Sequence, residues 1–108
     1  MKNTFCVDDL IMNFEGLPEV MLIDALESYC SEAQVYITEL RSADLETSVR
    51  HAHSVKTMSK MVGARFMATI CEEFEKTEGN GKVKKEHILA HWPEVKIEIE
   101  TYVASLKY

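Results

Sequence analysis

His53 stands with Arg50 three residues before it and Lys56, Thr57 and Lys60 three, four and seven residues after it, in a stretch with no acidic residue between Glu46 and Glu72. On an α-helix these spacings share one ridge, so a helix here would frame the imidazole with cations. A neutral imidazole nitrogen, with an unperturbed pKa of about 6.5, is a competent nucleophile near neutral pH, and flanking cations favour that neutral form. The same cations would meet the anionic oxygens of an arriving group, and a charge-assisted hydrogen bond from Lys56 to one of them contributes roughly 1–3 kcal/mol. This chemistry suits a reversible phosphoryl carrier, and the cations would also draw in an acidic partner.

His51 is the rival nucleophile. It lies about 200° from His53 around a helix and has Ser54 where a cation is wanted. The two rings point to opposite sides and cannot chelate one ion together. His87 and His91 have the i, i+4 spacing of a zinc pair, yet no third or fourth ligand is evident, so no metal centre is expected. Gln34 lies on the outer side of the preceding helix. No Gly-rich nucleotide loop and no acidic metal cluster accompany His53, so ATP chemistry is not expected here and a partner would have to bring the magnesium.

The elements that must position these residues are helical throughout. A short helix is expected at about Val7 to Asn13, ending before Gly16. Pro18 then suits the first position of a second helix, where its missing N–H is not needed. From there to Arg41, Leu22, Leu26, Tyr29, Ala33, Tyr36 and Leu40 recur at steps of four and three, with Ile23, Cys30 and Ile37 widening the stripe. Ser42 and Asp44 are both credible caps for a third helix. In it Leu45, Val49, Ala52, Val55, Ser59 and Val62 form the inward face, and Gly63 is the C-terminal stop.

A fourth helix, about Arg65 to Lys76, would bury Met67, Ile70, Cys71 and Phe74, and Gly79-Asn80-Gly81 marks a turn. The stripe Ile88, Trp92, Val95, Ile99, Tyr102 and Leu106 predicts a last helix, kinked or broken near His91 by Pro93. Long amphipathic helices with short connections predict an all-α fold, an antiparallel four-helix bundle over 17–108 preceded by a short extra helix and loop over 1–16. His53 follows the core position Ala52 by about 100°, which places the ring at the solvent-facing flank of the buried stripe.

Composition agrees with one domain spanning 1–108. The chain has 46% hydrophobic and 28% charged residues with only 4 Gly and 2 Pro, the balance of a compact soluble protein. Its net charge of −6 disfavours general nucleic-acid binding. Cys6, Cys30 and Cys71 show no C-x-x-C pairing and are expected to be buried free thiols. There is neither a leader-like apolar region at the start nor a long uncharged apolar run, so a cytoplasmic protein without membrane segments is expected.

The run Ala52-His53-Ser54-Val55-Lys56-Thr57-Met58-Ser59-Lys60-Met61-Val62-Gly63-Ala64 resembles the signature of histidine-containing phosphotransfer (HPt) domains, A-H-x-L-K-G followed by a small residue, an apolar residue and G-A. Cys71-Glu72-Glu73-Phe74-Glu75 is similar to the family's C-x-x-L-E segment. The likeness is clear from about Ser42 to Gly81 and holds only in pattern outside it. It implies that His53 is the phosphoacceptor, Lys56 the phosphate-stabilising cation and Val55 the buried aliphatic, with Arg50, Thr57, Lys60, Gly63 and Gln34 in docking or support. Two departures are Thr57 in place of the usual Gly and Val55 in place of Leu.

What the resemblance implies is a monomeric phosphorelay carrier with no autonomous kinase activity and no cofactor of its own. Its partners would be receiver domains of response regulators or hybrid kinases, the magnesium being theirs. Two other classes remain open at this stage. A histidine-kinase dimerisation bundle typically carries H-E-x-x-x-P, whereas Ser54 follows His53 and Met58 stands at +5. A non-catalytic helical adaptor would use the same surface without chemistry.

Overall fold

The computed structural model describes residues 4–108, and they form five helices: α1 Val7–Asn13, α2 Glu19–Leu40, α3 Leu45–Val62, α4 Arg65–Lys76 and α5 Lys85–Lys107. The four long helices pack in a ring: α2 lies on α3 and α5, and α4 lies on the same two helices, so α2 and α4 face each other diagonally. The expected four-helix bundle with a short extra helix is what forms. The α3–α4 and α2–α5 grooves therefore lie on opposite sides.

The predicted stripes meet along the bundle axis. Leu26, Tyr29, Cys30, Ala33, Ile37 and Leu40 of α2 are buried, as are Ala52, Val55 and Val62 of α3, Met67, Ile70, Cys71 and Phe74 of α4, and Ile88, Trp92, Val95, Ile99 and Val103 of α5. Leu22, Ile23, Tyr36, Val49 and Tyr102 pack at the margins of this core. Leu45 is a correction: it is 54% exposed, and Ser48, fully buried, takes the inward place on the first turn of α3. A first-turn side chain leans toward the preceding loop, so the stripe begins one turn later than the apolar pattern suggests.

Helix ends follow local chemistry. Pro18 sits just outside α2 in extended backbone (ψ 155°) instead of at its first position, one residue from the expectation and within the usual scatter of helix boundaries. Of the two candidate caps for α3, Asp44 is the one used: its carboxylate accepts the Thr47 N–H at 2.8 Å, and that bond holds its carboxyl below the usual range. Gly63 ends α3 with φ +85°. α5 continues as helix through Pro93, so no break occurs near His91; the proline ring lies on the exposed side, away from the core stripe.

The N-terminal segment is tied across the end of the bundle. The Cys6 N–H donates to the Gly63 carbonyl at 2.7 Å, Phe5 is buried with its ring edge-on to Tyr102, and Arg65 forks onto the Asp9 carboxylate, Nη2 reaching Oδ1 at 2.8 Å. A Cβ on Gly63 would overlap the Cys6 carbonyl oxygen. Burial pushes the thiols of Cys30 and Cys71 up to about 11 and about 12, where they are protonated and inert at neutral pH, while Cys6 is only half-buried. Among the described residues no helix is long and apolar enough to cross a membrane.

Candidate functional site

The site is built on the outer flank of α3, where it meets α4. Ala52, Val55 and Ser59 are buried and fix the rotation of α3, with the Ser59 hydroxyl and the Tyr29 phenol hydrogen-bonded at 2.7 Å beneath the ridge. That rotation turns His53 outward, and its side chain is 57% exposed. The predicted ridge of Arg50, His53, Lys56, Thr57 and Lys60 exists as one surface.

The ridge is not acid-free in space. α4 runs alongside and lays Glu75 against it: one carboxylate oxygen, Oε2, lies 2.7 Å from His53 Nδ1 and the other, Oε1, lies 2.7 Å from Lys56 Nζ. The Lys56 hydrogen bond, and after it that of His53, holds the Glu75 carboxyl below its ordinary value. An ionised carboxylate only accepts, so Nδ1 carries the proton and donates. In the neutral ring the lone pair is then on Nε2, which no hydrogen bond reaches among the described residues and which belongs to a largely exposed side chain. Glu75 thereby selects the tautomer and orients the ring.

The remaining predicted residues divide. Lys56, with 18% side-chain exposure, reaches across to Glu75. Lys60 pairs with Glu72 of α4 at 3.2 Å. Arg50 pairs with Glu46 one turn back at 3.1 Å and is 67% exposed, a solvated helix-surface pair of little energetic weight. The Thr57 hydroxyl donates to the His53 carbonyl at 3.1 Å, so it is engaged with the backbone and is not aimed at the ring. Gly63 is buried under the start of α1, so its close approach is to this chain's own backbone.

Gln34 requires correction. Its Oε1 accepts the indole N–H of Trp92 at 2.8 Å and Lys96 at 3.3 Å, and its amide donates to Thr38; all of these lie on α2 or α5, away from the α3–α4 groove. Gln34 sits on the flank of α2, and the helix that neighbours it there is α5. His51 occupies the far flank of α3, with Nε2 bound to Glu39 at 2.9 Å and its ring edge-on to Tyr36. His87 and His91 are separately engaged: His87 Nδ1 accepts the Lys84 N–H, and His91 Nδ1 pairs with Glu94.

Glu75 is the residue that sequence reasoning named without assigning it a role. Phe74 marks the inward face of α4, so Glu75 falls about 100° away, on the flank toward α3. Only the pairing of α3 with α4 converts that position into a contact with His53.

Residues 24–107 match the family model described as Hpt domain. No curated protein and no solved structure matches the chain.

Proposed function

The chain belongs to the Hpt domain family, whose members carry out histidine phosphotransfer in phosphorelays, and from that premise we propose that His53 is its phosphoacceptor, taking a phosphoryl group from the aspartate of one receiver domain and passing it to another. The observation that carries this reading is the exposed ring whose Nδ1 is held by Glu75 and whose Nε2 is free. The Nε2 lone pair attacks phosphorus in line, the N–P bond forms as the P–O bond to the receiver's aspartate breaks, and the receiver's carboxylate departs. Return transfer is the reverse. Lys56, already at the ring, stabilises the anionic oxygens as they arrive.

The chain contributes nucleophile, cation and docking surface, and the receiver contributes the aspartate and its magnesium. Met61, 54% exposed at the end of the ridge, and Ile11 and Met12, 51% and 70% exposed on α1, offer apolar area for a docking receiver. Asn13 brings the end of α1 to this corner by donating to the Lys60 and Met61 carbonyls at 3.1 and 3.0 Å. The protein acts as a cytoplasmic monomer in this reading, which sets it apart from an obligately dimeric kinase bundle.

The test is transfer from a panel of phosphorylated receiver domains, followed by mapping of the acid-labile, alkali-stable phosphate. Label on His53 is the expected result. Label on His51, or receiver binding with no transfer from any member of the panel, overturns it.

A further inference from the structure

The Glu75 contact acquires a second consequence once Nε2 is occupied. When a neutral imidazole accepts PO3 on Nε2, no proton has to leave: the ring becomes a cation that retains its Nδ1 proton, and the receiver's aspartate departs as a carboxylate. In that protonated form the leaving group for the next transfer is a neutral imidazole. If the Nδ1 proton is lost to water, the leaving group becomes an imidazolide anion, a far poorer one, and the N–P bond turns inert. Whether phosphohistidine is a carrier or a dead end therefore depends on which protonation state the site favours.

We propose that Glu75 is a positioning residue that retains the Nδ1 proton on phosphorylated His53 and so keeps the phosphoryl group transferable across the neutral pH range. This deepens the phosphoacceptor reading and rests on it. The geometry is 2.7 Å between Glu75 Oε2 and Nδ1, a hydrogen bond to the protonated form that the deprotonated ring would replace with two facing lone pairs. An opposite charge this close favours the protonated ring. The carboxylate is itself fixed by Lys56 on its other oxygen, so it cannot easily turn away.

The other charges near the ring are weaker in their claim on that proton. On α3, Lys56 is neutralised by the same Glu75, Arg50 by Glu46 and Lys60 by Glu72; on α4, Glu72 is directed to Lys60. No other titratable group is hydrogen-bonded to the ring among the described residues. Glu75 is the one group positioned to report on, and respond to, the Nδ1 proton.

The full chain can be loaded without a partner by potassium phosphoramidate, whose P–N bond breaks with loss of ammonia as the new N–P bond forms. Loss of phosphohistidine to water is then followed by phosphorus NMR across pH. In the wild type the fall in hydrolysis rate with rising pH is expected to have its midpoint about one unit or more above that of Glu75→Gln, so that on the alkaline side the variant's phosphohistidine persists about tenfold longer. The glutamine still accepts from Nδ1, so orientation is retained while the charge is removed. Glu72→Gln removes the same charge from the same helix and is expected to leave the midpoint in place.

Label on His53 with coincident midpoints for wild type and Glu75→Gln overturns this inference and leaves the phosphoacceptor reading intact, as does an equal shift in Glu72→Gln. Label elsewhere than His53 overturns both. Should Glu75→Gln fail to fold, nitrogen NMR of the phosphorylated wild type decides. Retention of the Nδ1 proton to higher pH than in an unstructured phosphohistidine peptide supports the proposal, and loss at the same pH overturns it.

Discussion

Two histidines two residues apart on α3 divide the molecule into two flanks, the one proposed as reactive at His53 and a structural one at His51. Each has a carboxylate partner at hydrogen-bond distance, Glu39 at 2.9 Å for His51 and Glu75 at 2.7 Å for His53. The difference lies in which nitrogen is engaged. His51 uses Nε2, the outer atom of the ring, and its side chain is 15% exposed against Tyr36; His53 uses Nδ1, and its side chain is 57% exposed. A histidine–carboxylate pair is thus no mark of chemistry by itself. At His53 the carboxylate takes the inner nitrogen and leaves the outer one without a partner among the described residues, whereas at His51 it takes the outer one.

The most severe way to break this contrast is to remove the rings one at a time. His53→Gln is expected to reduce phosphotransfer about a thousandfold or more, to background, with receiver binding retained. His51→Gln is expected to keep transfer within about twofold and to change stability by under about 1 kcal/mol, because the exchanged contact is a partly exposed pair that glutamine can partly replace. Comparable losses of transfer in the two variants would erase the distinction between the flanks.

A milder change sharpens it. Lys56→Ala removes the cation proposed to meet the phosphoryl oxygens and should slow transfer by about ten- to a hundredfold, measured as single-turnover rate from a phosphorylated receiver. The structural flank has no counterpart to this loss, since no lysine shares Glu39 with His51 among the described residues. An unaffected rate would mean that Lys56 serves only to hold Glu75.

The smallest effect is in the pH dependence of stability. Glu75 is held below its ordinary value in the folded state, first by Lys56 and then by His53. Its contribution is therefore present above the unfolded-state value of 4.5 and is lost as pH falls through the folded one. Asp9 and Asp44, lowered by Arg65 and by the Thr47 N–H, act in the same direction. Denaturant midpoints should decline on acidification below about pH 5, and Glu75→Gln should flatten part of that decline. An unchanged slope in the variant would show that the His53 flank is no better bound than the surface around it.

How much of this was legible in the sequence depends on whether a residue's partner was local. The helices, the Gly63 stop and the outward turn of His53 follow from periodicity along single segments, and these agree with the structure. Leu45 fails because apolar character says nothing of whether a first-turn side chain has a neighbour to cover it. Gln34 and Glu75 fail for the same reason in opposite senses: each is a flank residue, and only the order of helices around the bundle decides that Gln34 meets Trp92 and Glu75 meets His53. The local cation excess around His53 was real along the chain, but α4 returns Glu72 and Glu75 to the same surface.

The seat of α1 on Gly63 ties a short peripheral helix to one hydrogen atom. With alanine there, the added methyl would contend with the Cys6 carbonyl in a backbone conformation that L-residues rarely adopt, and the segment from Thr4 onward would have to lift. Leu10, fully buried, would leave its socket, and with it would go the corner that Asn13 closes over Lys60 and Met61. On the proposed reading, a substitution remote from the imidazole would be felt first as a receiver that no longer recognises the surface it meets.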